Sequence, residues 1–322
     1  MSCPDFACMG FQKCGTTTLF EILKQHPDVV LCRDVKEPMY YRVPGFIQKI
    51  GRGHKFYRWR YFVHVKEGDE RLKGEVNAGL TFTHCEEKIA RDMDPQMKMI
   101  FMLRDPVNRS YSSYKYFLAR GFLPREALLY DQAYGHAEGF DHYVHSILDS
   151  PRRKKQIMKK RLKYLVLSQS NYAWCIQEYL QDFPKENMKF VVFEEFIQDQ
   201  HAACLEIYDF LGIGDYPQID YRVRANEGNE RAVSDHLVKK LKFLKGWKYG
   251  FYEFVNMTKW APKTYRRFNR YYNRIRAQAM RPDEDKSKVL PKTRKYLLEY
   301  FGPDIRKLSE ITGKDLEKIW HV

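Results

Sequence analysis

The chain opens with a short apolar segment, Phe6–Met9, and a loop in which Gly10 and Gly15 enclose Lys13. Three threonines and a helical apolar pattern follow the second glycine directly. This order predicts a buried strand, a tight loop and the first turn of a helix. The N–H groups of such a loop, together with the helix dipole, bind phosphate-like anions. The opening residues therefore predict an α/β fold with an anion site after its first strand.

The loop differs from the phosphate loop of nucleotide triphosphatases. In that pattern a lysine directly follows the second glycine, whereas here Thr16 takes that position and Lys13 comes earlier. We predict that the anion is bound by a continuous set of residues: Gln12, Lys13, Cys14, Gly15, Thr16, Thr17 and Thr18. The alternative is a glycine-rich turn in which a threonine only caps the helix.

A second apolar segment, Met99–Leu103, has the length and continuity of a buried parallel strand. Arg104 follows it, at the end of the strand where open α/β sheets bind their ligands. A helix begins after Arg104 and carries Ser112, and we predict that Arg104 and Ser112 bind one phosphate. The alternatives are a surface ion pair for Arg104 and an exposed helix serine for Ser112. Arg109 fits a structural ion pair as well as it fits a ligand contact.

These segments together resemble the carbohydrate branch of the sulfotransferases that use 3′-phosphoadenosine 5′-phosphosulfate (PAPS). The first loop resembles the family's 5′-phosphosulfate-binding loop, and Met99–Tyr114 resembles its 3′-phosphate-binding strand and helix. Lys36–Tyr41 is similar to a Lys-Glu-Pro-aromatic segment, and Leu308–Trp320 to the ending of heparan-sulfate-type and bacterial relatives. The resemblance implies a P-loop-like three-layer α/β fold with a central parallel sheet flanked by helices. It also implies PAPS as the sulfuryl donor and no metal.

The resemblance further implies roles for two side chains in an in-line transfer. Lys13 is the candidate that neutralises the charge developing on the leaving phosphate oxygen. Glu37 is the candidate base that takes the proton from an acceptor hydroxyl. The alternative for Glu37 is a solvated loop acid paired with Lys36. The implied reaction is sulfuryl transfer to a hydroxyl or amine, with a carbohydrate or polysaccharide as the expected acceptor.

The chain departs from the family pattern at two places. Heparan sulfotransferases often carry a Lys-Ser-Pro-aromatic stretch after the glutamate of the third strand, but Glu75–Thr81 lacks that lysine and proline. Relatives also close a glycine-rich basic loop over the nucleotide. The corresponding segment, Arg222–Arg231, is basic without that motif, and its candidates for nucleotide binding are Arg224 and Arg231.

Positive charge is concentrated along the chain. The formal net charge is +15, and two acid-free runs, Arg152–Lys163 and Lys259–Arg281, each hold eight Lys or Arg residues. Aromatic residues alternate with the cations in the second run. The ordinary interpretation is a solvated helix face. The others are binding of an anionic polysaccharide or lipid-linked glycan, or a peripheral membrane contact.

Length and pattern predict one domain over residues 1–322, with a basic helical insertion at about 120–165 and a basic aromatic segment at about 245–285. Residues 42–70 read as irregular. The sequence shows neither a signal peptide nor a membrane span, which predicts a cytoplasmic protein of a bacterium-like host. The alternative is a trimmed Golgi lumenal domain.

Seven scattered cysteines without metal-ligand spacing predict reduced thiols. Cys14 is a special case because it lies inside the electropositive loop. That position predicts a lowered pKa and a thiol that oxidises easily.

Two other functions fit part of the sequence pattern. One is a P-loop nucleotide-dependent kinase, which the early position of Lys13 disfavours. The other is a non-catalytic nucleic-acid-binding protein, which the basic aromatic segments suggest. That function would leave Glu37 and Arg104 without a shared purpose, so no nucleic-acid partner is expected.

Overall fold

A computed structural model describes most of the chain. The described residues are 4–32, 36–38, 40–41, 53–82, 86–157, 164–223, 230–232, 236–237, 240–241, 243–244, 247, 262–282 and 285–322. The chain divides into two compact units. The first comprises Met1–Ser110, Leu167–Asn226 and Lys295–Val322, and the second comprises Tyr111–Val166 and Glu227–Arg294. The organisation of the chain as one domain stays a prediction.

The first unit is built on a five-stranded sheet in which all strands run parallel. Its strands are β1 (Phe6–Gly10), β2 (Val29–Leu31), β3 (Leu72–Val76), β4 (Lys98–Leu103) and β5 (Met188–Val192). Every residue of β1 is buried, as is every residue of β4 after the first. Such continuous apolar strands are typical of parallel sheets whose two faces are both covered. The sheet confirms the predicted α/β fold.

Helices make up much of the rest of the chain. In chain order they are α1 (Thr16–Leu23), α2 (Gly53–Tyr61), α3 (Glu86–Asp92), α4 (Pro106–Ala119), α5 (Arg125–Tyr134), α6 (His136–Leu148), α7 (Pro151–Ile157), α8 (Leu165–Ser168), α9 (Tyr172–Tyr179), α10 (Phe193–Gln198), α11 (Gln200–Leu211), α12 (Pro262–Ala279), α13 (Pro291–Thr312) and α14 (Leu316–Trp320).

The interpretation of residues 42–70 as irregular is wrong for α2. Tyr57 and Tyr61 lie four residues apart on this helix and are fully buried, so an aromatic face holds it.

The order of the strands determines where ligands can bind. The sheet runs β2-β3-β1-β4-β5, so the chain first builds on one side of β1 and then crosses to form β4 on the other side. Ligands of open α/β sheets bind at such a switch point, outside the carboxyl ends of the strands. Because β1 and β4 are paired neighbours, the loop after Gly10 and the residue after Leu103 meet at this edge.

The described part of the second unit is largely helical. Helices α5, α6 and α7 lie within the segment 120–165 that the sequence predicts to be helical, and residues 158–163 fall outside the described residues. A short antiparallel pair joins β6 (Glu230–Ala232) to β7 (Met280–Pro282), and the sequence did not predict it. Among the helices described here, none is both long and apolar enough to cross a membrane.

A carboxylate from α13 caps helix α9 within the first unit. Asp304 accepts hydrogen bonds from the backbone N–H groups of Ala173 at 3.1 Å and Trp174 at 3.2 Å. N–H groups in the first turn of a helix have no partner inside the helix, so the carboxylate satisfies two of them. Removal from water nevertheless raises the pKa of Asp304 to about 6, although the hydrogen bonds act in the opposite direction.

We predict that Asp304→Asn flattens the pH dependence of stability between about pH 4, the ordinary range of the carboxyl, and about pH 6. The folded state holds the Asp304 proton more tightly than the unfolded chain, so this group's contribution to the free energy of unfolding falls as pH rises. The expected fall is on the order of 2 kcal/mol. Urea unfolding of both proteins at the two ends of this window measures it. An identical pH dependence in wild type and variant would contradict the assignment.

Candidate functional site

The loop after β1 requires both of its glycines. Gly10 has a φ of 128° and Gly15 a φ of 86°, values that side chains disfavour. A Cβ on Gly15 would lie 2.9 Å from the ring of Phe193, and a Cβ on Gly10 would lie 3.1 Å from Thr81 Oγ1. Gly15 also occupies the N-cap of α1. The alternative in which a threonine caps this helix is therefore wrong.

Two arginines bind the carbonyl groups of this loop. Arg104, directly after β4, donates from Nη1 to the carbonyl oxygen of Lys13 at 3.0 Å. Arg109, in α4, donates from Nη1 to the carbonyl oxygen of Gln12 at 3.4 Å. Each cation compensates the negative end of a peptide dipole. The two arginines thereby reduce the repulsion between the carbonyl groups of the loop and an anion.

Arg109 has a role that the sequence left open. Its side chain is fully buried, and its Nε donates to Ser170 Oγ at 2.5 Å. Ser170 Oγ also lies 2.8 Å from Ser110 Oγ and donates to the carbonyl oxygen of Pro106 at 3.0 Å. Arg109 therefore positions the loop from inside the protein. No motif surrounds Ser170, so this pairing has no signal in the sequence.

Arg104 combines a fixed position with an unused donor. Its guanidinium lies 4.5 Å from the centre of the Phe193 ring, and its carbonyl oxygen accepts a hydrogen bond from Tyr172 Oη at 2.8 Å. Considering the described residues alone, Arg104 Nε is buried and has no hydrogen-bond partner. An unsatisfied buried donor on a charged group is costly. Arg104 is therefore a candidate position for an anionic ligand group.

A second cation, Lys36, reaches the start of α1. Its Nζ donates to Thr17 Oγ1 at 2.7 Å and to Thr16 Oγ1 at 3.2 Å. Burial lowers the pKa of Lys36, and the neighbouring Glu37 offsets only part of this effect. An anion at the helix N-terminus would balance this amine. The sequence placed Lys36 in the Lys-Glu-Pro segment but did not include it among the site residues.

Glu37 stands beside this cation. Its Oε1 lies 3.8 Å from Lys36 Nζ, and its side chain is 36% exposed. The following residue, Pro38, accepts a hydrogen bond from Asn77 Nδ2 at 2.8 Å, and Asn77 is buried. Asn77 lies after β3, in the segment where the family's lysine and proline are missing. It ties the Lys-Glu-Pro segment to the sheet, a contact that the sequence did not predict.

The expected chemistry of Cys14 is wrong. Cys14 is fully buried, and its Sγ lies 3.8 Å from Tyr172 Oη. Arg109 and Arg104 act to lower its pKa, but burial has the larger effect and raises the pKa to about 11. The thiol is therefore a poor nucleophile at neutral pH.

The C-terminal helix supports the same edge of the sheet through Glu194. Its Oε1 accepts from the backbone N–H of Asp105, and its Oε2 accepts from Trp320 Nε1, each at 3.1 Å. Burial raises the pKa of Glu194 despite these hydrogen bonds and the nearby Arg104. Helix α14 thus braces the residue that follows Arg104.

The structure brings most of the predicted site residues to one edge of the first unit. They are Gln12, Lys13, Cys14, Gly15, Thr16, Thr17, Thr18, Glu37 and Arg104, joined by Lys36. Ser112 is half-buried in the part of α4 that belongs to the second unit. Arg224 lies outside the described residues, and Arg231 lies in β6 opposite Arg281. A contribution of these three residues to the site stays a prediction.

Known proteins are similar to part of this sequence. Residues 4–224 match the family model described as the sulfotransferase domain. Human heparan sulfate glucosamine 3-O-sulfotransferase 3B1 is 27% identical over 213 residues, which cover 65% of this chain and 46% of that protein. Mouse carbohydrate sulfotransferase 15 is 27% identical over 153 residues, which cover 35% of this chain and 27% of that protein. The chain therefore spans less than half the length of these two curated relatives.

The fold has a counterpart among solved structures. The crystal structure of a sulfotransferase from Alicyclobacillus acidocaldarius matches with a TM-score of 0.59 and 20% identity, covering 100% of both chains. This likeness shows the fold, a parallel sheet flanked by helices. The family match extends over more than half of the chain and includes the first loop, the Lys-Glu-Pro segment and Arg104. The chain belongs to the sulfotransferase domain family.

Proposed function

We propose that this chain transfers a sulfuryl group from PAPS to a hydroxyl or amine of a carbohydrate. The observation that carries the proposal is the meeting of the glycine loop, Arg104 and Lys36 at the switch point of the sheet. Membership of the sulfotransferase domain family supports the class of reaction.

The donor fits the chemistry of these residues. We assign the 5′-phosphosulfate of PAPS to the loop Gln12–Gly15 and the threonines Thr16–Thr18, with Lys36 beside them. PAPS supplies the sulfuryl group together with the phosphate from which it leaves. The unsatisfied Nε of Arg104 supports the assignment of Arg104 to the 3′-phosphate, with Ser112 as a second donor. Arg224 and Arg231 are the further candidates for holding the nucleotide.

The chain's own side chains divide the chemistry between them. Lys13 neutralises negative charge on the leaving phosphate oxygen, and Lys36 adds a second positive charge close to the same helix terminus. Glu37 accepts the proton of the acceptor hydroxyl. Its partial exposure leaves the carboxylate within reach of an acceptor from solvent.

The names of the relatives support a carbohydrate acceptor. They include a heparan sulfate glucosamine 3-O-sulfotransferase and, at 24% identity over 212 residues, human bifunctional heparan sulfate N-deacetylase/N-sulfotransferase 3. Relatives that act on oxygen and on nitrogen thus both match, so the proposal keeps both acceptor atoms. The cytoplasmic location stays a prediction from the sequence.

The donor assignment predicts the nucleotide that binds. 3′-Phosphoadenosine 5′-phosphate (PAP) is expected to bind without added metal and at least about tenfold more tightly than AMP, because AMP lacks the charged group that Arg104 would contact. Isothermal titration calorimetry with PAP, AMP and ATP plus magnesium measures the three affinities. Preferential binding of ATP with magnesium would contradict the donor assignment and favour a kinase.

Two alanine variants separate catalysis from nucleotide binding. Lys13→Ala is expected to lower kcat about 100-fold with little change in PAP affinity, since its charge acts on the leaving group. Arg104→Ala is expected to weaken PAP binding about 10-fold to 100-fold. Steady-state kinetics with N-desulfated heparin and calorimetry with PAP provide the two readouts. Lys24→Ala, which removes an exposed lysine at the C-cap of α1, is the control. Equal affinity losses at Lys13 and Arg104 would overturn the division of roles.

Glu37→Gln tests the general base. The amide keeps the size of the side chain but does not accept a proton, so we expect kcat to fall about 100-fold or more while PAP affinity is retained. The same assay with N-desulfated heparin measures turnover. Glu310→Gln, which removes an exposed carboxylate that accepts a hydrogen bond from Lys307 Nζ at 2.9 Å, serves as the matched control. Unchanged turnover in Glu37→Gln would leave Glu37 as the solvated partner of Lys36.

A further inference from the structure

Helix α12, in the second unit, has two faces of opposite character. Its residues Ile275 and Ala279 are buried in a small apolar cluster with Leu241 and Ala119. The helix contains six Lys and Arg residues and no acidic residue, and all six cations are exposed. The apolar face holds the helix in place, which leaves the basic face directed to solvent.

Four of the cations form one stripe along the helix. Lys263, Arg267, Arg270 and Arg274 recur at intervals of four, three and four residues, which places them on the same side of an α-helix. Tyr271 lies four residues after Arg267 and three before Arg274, so it borders the stripe. Its side chain is 42% exposed.

A neighbouring helical segment extends this surface. The described residues between 236 and 247 are helical, with Leu237, Leu241 and Leu244 packed into or against the cluster. Another side of this segment presents Phe243 and Trp247, which are 68% and 65% exposed, with ring centres 6.4 Å apart.

Lys240 joins the two helices, because its Nζ lies 5.6 Å from the centre of the Tyr271 ring. We call the combined patch the basic aromatic surface. It consists of Lys263, Arg267, Arg270, Arg274, Tyr271, Lys240, Phe243 and Trp247.

We propose that the basic aromatic surface binds the anionic face of a lipid bilayer. The proposal goes beyond sulfuryl transfer and does not depend on it. Lys and Arg side chains bind anionic headgroups, while Phe and Trp rings enter the boundary between headgroups and acyl chains. A soluble polyanion would also engage the cations. Bases and sugar rings also stack on aromatic side chains. Phe243 has no hydrogen-bonding group, however, and with Trp247 it forms an exposed apolar pair beside the cations, which is the pattern of a surface that inserts at a bilayer interface.

Co-sedimentation with lipid vesicles at physiological salt tests the proposal. The full chain is mixed with vesicles of phosphatidylcholine alone, or with vesicles of phosphatidylcholine that contain about 30% phosphatidylserine. We expect binding only to the anionic vesicles. Arg267→Gln with Arg274→Gln should weaken it about 25-fold, since each cation near the surface contributes about a fivefold factor. Phe243→Ser with Trp247→Ser should also lose most of the binding.

Arg306→Gln with Lys318→Gln removes the same charge from exposed positions in the first unit and should bind as wild type does. Thermal melts establish that each variant is folded. Absence of binding to anionic vesicles would overturn the proposal. It would also be overturned if the ring variant bound vesicles like wild type, or if heparin or RNA bound more tightly than vesicles and depended on the arginines alone. Calorimetry with PAP is independent of these outcomes.

Discussion

The candidate anion site at the edge of the sheet depends on two arginines that bind carbonyl groups of the loop after β1. Arg104 binds the carbonyl oxygen of Lys13, and the buried Arg109 binds that of Gln12. Burial lowers the pKa of Arg109, and the hydroxyl of Ser170 accepts a hydrogen bond from its Nε. The positive potential of the site therefore comes partly from a charge inside the protein that the ligand need not touch. Such preorganised charge is more effective in a low-dielectric interior than in water.

The features that can be predicted from the sequence are those that depend on residues close together along the chain. Strands β1 and β4 are continuous apolar runs, so their bounds follow within one residue from the pattern alone. The glycines of the first loop similarly indicate a backbone turn before any contact is known. The hydrogen bond between Arg109 and Ser170 joins residues 61 positions apart, and no local pattern encodes it. The place of Lys36 among the threonine hydroxyls likewise exists only once the segment after β2 lies beside α1.

The wrong predictions share a cause, which is burial. Cys14 has the cationic neighbours that the sequence suggests, yet its removal from water affects the thiol more strongly than they do. Burial also holds helix α2, whose polar and aromatic residues hide the spacing of the fully buried Tyr57 and Tyr61 in the sequence. In the second unit, the exposed basic face of α12 is defined by the packing of Ile275 and Ala279 into the apolar cluster, and the sequence alone does not show that packing.

The environment of Lys36 has a further consequence for how an anion arrives. Before binding, the charged amine is held in a setting that disfavours its charge, and its pKa is lowered by burial. A phosphate-like group beside it would restore that pKa towards its ordinary value. Ligand capture and protonation of Lys36 are then linked equilibria, so each strengthens the other. An anion at the start of α1 thereby offsets the unfavourable burial of the Lys36 charge, so this position favours a negatively charged group over a neutral one.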